Sequence, residues 1–296
     1  MKKIVIGALM VLAFGIVGAI ATASFTNVFT MQTVGYHDEK EVNGKDIQNI
    51  EINGSSTDII VVPTKSNEIK VVLDGQMSES MKDKYKLTID QSGDTLKVTA
   101  ESNMFFHIGM AITDLVLEIE VPQKVYDSIS VSASSGTIDI QDLQVKDFST
   151  DVSSGDIFVE DVKVEGQFEG ESSSGTLRIS NTNAINYELE ASSGDIIMEN
   201  AVGDITADTS SGTITIDNQE VAGDILAEAS SGDVMISFQK APTSLAIDFE
   251  GSSGDGVVNI DGVNYEEKSE ELIKGSIGDG EYKLFVRTSS GDFELN

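Results

Sequence analysis

The phrase Ser-Ser-Gly followed by Asp or Thr occurs eight times, with its glycine at 136, 155, 175, 194, 212, 232, 254 and 291. From Gly136 to Gly254 the intervals are 19, 20, 19, 18, 20 and 22 residues. Self-similarity at a period near 20 predicts a coil of stacked repeats. The apolar residues keep their places around each glycine. Seven positions before it stand Ile129, Phe148, Phe168, Tyr187, Ile205, Ile225, Ile247 and Leu284. Four positions after it stand Ile140, Val159, Ile179, Met198, Ile216, Ile236, Val258 and Leu295. Two positions after it the residue is again apolar, except at Gly256. Alternation on both sides of the turn predicts two half-buried strands meeting at the glycine.

One such repeat cannot bury its apolar face alone, whereas stacking on neighbours makes a continuous core. Equivalent strands then run parallel about 4.8 Å apart, with right-handed coiling expected from the general crossover rule. Glycine fits a corner that needs a positive φ or a close backbone approach. The serines are expected to hydrogen-bond local backbone or one another across coils. No His or Lys accompanies the phrase, so the serines read as structural rather than nucleophilic. The residue after each glycine alternates Thr137, Asp156, Thr176, Asp195, Thr213, Asp233. Alternation doubles the spacing of stacked carboxylates and reads as tolerance of an acidic ladder. The paired glycines of calcium-binding nonapeptide coils are missing, and no metal ligand set is assigned.

The pattern predicts an all-β, single-chain β-solenoid of parallel coils of about 20 residues behind an N-terminal transmembrane helix. The divisions are 1–25, anchor or signal peptide; 26–46, polar tether; 47–125, degenerate first coil, hairpin and N-terminal cap; 126–256, regular coils; and 257–296, C-terminal coil and cap. In the degenerate coil Thr57 takes the glycine slot between Ile50, Ile52 and Ile59, Val61. Lys84–Ala100 reads as a hairpin turning at Ser92-Gly93-Asp94, and Leu115–Pro122 as a strand. Asn103–Ile112, with His107 and Met110, is apolar without alternation and reads as a loop over the open end of the stack. The repeats themselves offer no break that would build a cleft.

Ile4–Phe25 is an apolar run behind Lys2 and Lys3, about 33 Å long as a helix and so sufficient to cross a bilayer. The leading lysines place the body of the protein outside the cytoplasmic membrane. Ala21-Thr22-Ala23 also resembles a signal-peptidase site, so retention and cleavage both stand, although the apolar run exceeds a usual signal-peptide core. The net charge is −31, from 50 acidic and 19 basic residues, which argues against a nucleic-acid partner. With no cysteine there are no disulfides, thiolate metal sites or cysteine nucleophile.

The run SASSGTIDI, DVSSGDIFV, EASSGDIIM, DTSSGTITI, EASSGDVMI, preceded by LVLEIEVP, resembles the putative-adhesin β-strand-repeat domain of bacterial envelope proteins. The resemblance covers roughly 47–296, and the N-terminal run and length look most similar to LiaG-like membrane-anchored proteins of Gram-positive bacteria. It implies a solenoid outside the membrane, with some relatives tied to envelope-stress systems, and supplies no catalytic, cofactor-binding or metal residues to carry over. The expected role is therefore non-catalytic: a membrane-tethered scaffold or interaction module, its partner an unidentified envelope protein or wall polymer. A second reading is an adhesin-like binder of wall glycan or a surface ligand, although Trp is absent and Tyr numbers 6. A third is a polysaccharide-active enzyme, which needs a pair of carboxylates beside a cleft.

Overall fold

The computed structural model describes residues 33–102 and 113–296. The expected anchor over 1–25 and the apolar segment Asn103–Ile112 lie outside them. Among the described residues no helix is long and apolar enough to cross a membrane. The described chain is all-β apart from one 3₁₀ turn, Glu79–Met81.

Each repeat supplies a long strand and a short one joined at the Ser-Ser-Gly corner, as in Gln144–Ser154 followed by Ile157–Glu160. Long strands pair in parallel into a broad sheet and short strands into a narrow one. The register makes the expected columns. Phe148 lies between Ile129 and Phe168, and Tyr187 between Phe168 and Ile205. The Phe148 and Phe168 rings meet edge to face at 4.9 Å, and Phe168 meets Tyr187 at 5.6 Å. All these side chains are buried in one core shared by the two inner faces. Tyr187 ends in a hydroxyl, which donates to Thr182 O at 2.7 Å, and burial pushes its pKa well above the ordinary phenol value.

The corner glycines form a column of close backbone contacts. A Cβ on Gly155 would lie 1.9 Å from Gly136 O, one on Gly194 1.9 Å from Gly175 O, and one on Gly232 1.9 Å from Gly212 O. Gly136 sits over Thr57 O in the same way, so the degenerate coil takes its predicted place. Close approach is the requirement common to the column, since Gly194, Gly212 and Gly232 lack a positive φ. The corner serines stay at the surface and act through backbone bonds such as Gly155 N–H to Ser174 O, 2.9 Å. Serine hydroxyls instead bond across coils on the broad sheet, Ser149 to Ser130 Oγ at 2.9 Å, Ser132 to Asn53 Oδ1 at 2.9 Å and Ser128 to Asn49 Oδ1 at 2.7 Å.

The residue after each glycine does more than tolerate charge. Asp58 accepts a hydrogen bond from Thr137 N–H, Asp156 from Thr176 N–H and Asp195 from Thr213 N–H, at 2.7–2.8 Å. Each carboxylate therefore ties its coil to the main chain of the next. Where three aspartates follow one another in the stack, Asp233 accepts from Asp292 N–H and Asp292 from Asp255 N–H, both at 2.8 Å.

Stack order departs from chain order at both ends. Thr95–Ser102 and Thr113–Pro122 pair in parallel outside Asn49–Ser56 and Asp58–Thr64, so the hairpin strand also belongs to a coil. At the other end Tyr282–Ser290 and Phe293–Leu295, expected at the end of the stack, lie one coil inside it. They sit between Ile225–Ser231 with Val234–Phe238 and Leu245–Gly251 with Gly256–Val258. The apolar slot lost at Gly256 is explained by packing. A Cβ there would stand 2.5 Å from the Phe249 ring, which stacks on Phe293 at 5.0 Å.

The expected tether over 26–46 is partly strand. Thr33–Asn43 pairs antiparallel with Glu68–Ser78 along its whole length and closes one edge of the narrow sheet. Its half-buried face carries Val34, Tyr36, Asp38, Lys40 and Val42. The two charged members hide the alternation, and Lys40 Nζ reaches Leu87 O at 2.7 Å. Charged residues on an edge strand discourage pairing with another chain. At the far end Leu272–Ile277 pairs antiparallel with Leu245–Gly251 and Asn264–Lys268 antiparallel with Leu272–Ile277, extending the broad sheet past its last coil.

Candidate functional site

Two surface features stand out from the regular stack. The first lies on the outer face of the broad sheet, four positions before each glycine. Asp151, Glu171, Glu190, Asp208 and Glu228 follow one another there in unbroken register. Glu169 and Glu188 stand side by side in the neighbouring column. Neighbouring coils about 4.8 Å apart give each carboxylate pair about 0.9 kcal/mol of repulsion in bulk water before screening. The ladder ends at Arg287, which bonds Glu228 at 3.0 Å and Glu250 at 3.3 Å. The longest run of stacked carboxylates is thus here, rather than in the slot after the glycine. Among the described residues no group of three or more His, Asp or Glu side chains is placed to hold a metal ion.

The second feature is at the opposite corner, where each short strand turns back. Asp142, Asp161, Asn181 and Asn200 hold left-handed φ values of 50–55°, a conformation that Asp and Asn accept more readily than other side chains. The coil from Gly194 to Gly212 has 18 residues, against 19 before it and 20 after it. The shortfall falls at this corner. Asn183 pairs with Val202 but Asn186 with Asp204, so the strand bulges at Ala184 and Ile185, with Ala184 packed against the core and Ile185 turned outward. Gly203, at φ +136°, lies against the bulge, where a Cβ would be 2.1 Å from Ala184 O.

Beside this corner lies a groove of about 330 Å³, lined chiefly by Asn181, Asn183, Asn200, Val202, Asn218 and Gln219. Asn218 is buried and fixed, its Oδ1 accepting Ala201 N–H at 2.8 Å. Asn200 Nδ2 donates to Asn181 Oδ1 at 3.2 Å, while Asn200 Oδ1 is buried with no hydrogen-bond partner. Val202 on the lining is 47% exposed and Ile185 on the bulge 62%. The groove's one carboxylate, Glu220, is paired with Lys240 at 3.0 Å. The repeats thus do break pattern to make a cleft. Its signal in the sequence is the single 18-residue interval together with the Asn/Asp six positions after each of five glycines.

The repeat geometry has a counterpart among known families. The family model described as Toastrack DUF4097 matches residues 47–296, every coil of the stack. The chain belongs to the Toastrack DUF4097 family. No curated protein matches it. Solved structures similar to this family member include a putative adhesin from Parabacteroides distasonis ATCC 8503. It is 12% identical, the alignment covering 88% of this chain and 97% of that one at a TM-score of 0.40. A putative adhesin from Bacteroides fragilis NCTC 9343 is 12% identical over 90% and 98% of the two chains, TM-score 0.37. A putative lipid binding protein from Parabacteroides distasonis ATCC 8503 is 13% identical over 88% and 97%, TM-score 0.35. Scores this low carry no argument about the role of this Toastrack protein.

Proposed function

We propose that this protein is a non-catalytic display module of the bacterial cell envelope, tethered by its N-terminal apolar segment and presenting a rigid acidic β surface. The observation that carries the reading is the unbroken carboxylate column on the broad sheet. Among the described residues ten coils, from Thr95–Ser102 with Thr113–Pro122 to Leu245–Gly251 with Gly256–Val258, hold the broad sheet at fixed spacing over about 43 Å, and the column runs over five of them, about 19 Å. Selection for stability alone does not favour such a column, because like charges directly opposite one another destabilise a sheet. A surface that meets a partner accounts for its retention. Lys2 and Lys3 ahead of the apolar run support an extracytoplasmic body, as in the LiaG-like proteins it resembles, with a role in envelope stress as the corresponding context.

A photo-crosslinking side chain at Glu190, used in intact cells before and after a wall-targeting antibiotic, tests the reading. It predicts a discrete adduct with an envelope protein or wall polymer. Absence of any adduct beyond that formed from an inward position such as Leu189 overturns it. Recovery of the whole protein in the soluble fraction removes the tether. The second reading, a glycan binder, is favoured by one observation, the groove at the short coil.

A further inference from the structure

We infer that the groove at the 18-residue coil is a binding subsite for a neutral sugar chain bearing hydroxyl and acetamido groups. The inference rests on the reading that the domain lies outside the membrane, where such polymers are met. The groove is built into the fold. Its lining comes from three successive corners, Asn181 and Asn183, Asn200 and Val202, Asn218 and Gln219, and the middle corner is the short one, with Gly203 set against Ala184 O.

Its lining matches one ligand chemistry. Side-chain amides offer donors and acceptors together, as paired hydroxyl and acetamido groups require. Asn183 and Gln219 are exposed on the rims and present their amides to the groove. Asn218, pinned by Ala201 N–H, keeps the floor in place. Val202 and Ala222 offer apolar contact to the C–H face of a sugar ring or an acetamido methyl, a role that aromatic residues commonly fill. Anionic chains are disfavoured, because the adjacent cation, Lys240, is held by Glu220 and the protein carries −31. The volume, about 330 Å³, lies at the small end of the roughly 300–1,000 Å³ usual for ligand pockets and suits about one or two sugar rings. With one carboxylate, already paired, the groove has no acid and base or nucleophile pair, so it holds the chain without cleaving it.

The test is calorimetric titration of the full chain, kept in a sugar-free detergent, with a β-1,4-linked N-acetylglucosamine tetramer. Saturable binding is expected. The double variant Asn183→Ala, Gln219→Ala and the single variant Val202→Asp each weaken it at least tenfold, and Lys65→Ala, in an exposed turn outside both surface features, leaves it unchanged. All the altered side chains are exposed, so the circular dichroism of each variant matches the parent. No saturable binding to the tetramer overturns the inference, as does equal affinity across the variants. Tighter binding of polyphosphate or of an extended peptide at the same residues also overturns it. Crosslinks from Glu190 that persist while the sugar fails to bind remove the groove's role and leave the display reading standing; the opposite pair of results does the reverse.

Discussion

Replacing Gly194 by alanine isolates what the corner column contributes. The new Cβ would stand 1.9 Å from Gly175 O, roughly 1.5 Å short of an ordinary contact, and the atom it meets is backbone. Gly194 does not occupy the left-handed region, so the cost is steric. The coils must part locally. Overpacking of this kind costs about 1–3 kcal/mol. Parting also strains the adjacent bond from Leu177 N–H to Asp195 O, 2.8 Å, and an unsatisfied buried donor adds about 1–3 kcal/mol. Together the expected loss is about 2–6 kcal/mol. Gly93→Ala is the control. At φ +65°, with nothing within 4 Å of its would-be Cβ, that site loses only the conformational term, about 1 kcal/mol. Urea unfolding compares the two, and amide exchange at Leu177 and Ile196 reports local opening, because stacked repeats can open in sections. If Gly194→Ala costs no more than Gly93→Ala, close approach is not why the corner needs glycine.

Phe168→Ala, at the centre of the aromatic column, is expected to lose about 4–5 kcal/mol by denaturation, and Phe168→Leu about 1–1.5 kcal/mol; equal losses would show that the rings do not pack as a unit. Tyr187 has its pKa raised by burial, so its contribution is full below about pH 10, the unfolded value, and falls away above it. Unfolding followed from pH 8 to 11 checks this, and the decline should be shallower in Tyr187→Phe. Glu190→Gln relieves repulsion from Glu171 and Asp208 and is expected to stabilise by about 0.5–1 kcal/mol at 10 mM salt and by almost nothing at 1 M. A salt-independent gain would mean that the column's charges are not what strains the sheet.

The columns were legible in the sequence because each face of the stack is either dry or wet, and a period-two pattern repeated every 20 residues records that without ambiguity. Thr57 could be placed for the same reason, its apolar neighbours keeping register where the glycine is lost. Thr33–Asn43 was not legible as a strand. As an edge strand it buries little, and Asp38 and Lys40 occupy its inward face. Stack order at the two ends was also hidden, since a repeat records how a coil is built and not which coil it lands on. The coil at Tyr282–Leu295 carries the ordinary phrase, and only its pairings place it inside. The groove was masked by its small signal, a one-residue deficit among intervals that already vary. The carboxylate column stands four positions before five successive glycines, yet the acidic ladder was expected in the slot after the glycine, where Asp alternates with Thr.

Because Tyr282–Ser290 and Phe293–Leu295 fill a gap between two coils that precede them in the chain, they act as a keystone. Until they are in place, Leu245–Gly251 has no parallel neighbour on which to settle. Assembly of the distal end must therefore wait for a segment made later than the coils it joins. Loss of that segment would leave two open strand margins facing an empty slot, a defect that proteases and chaperones can sense.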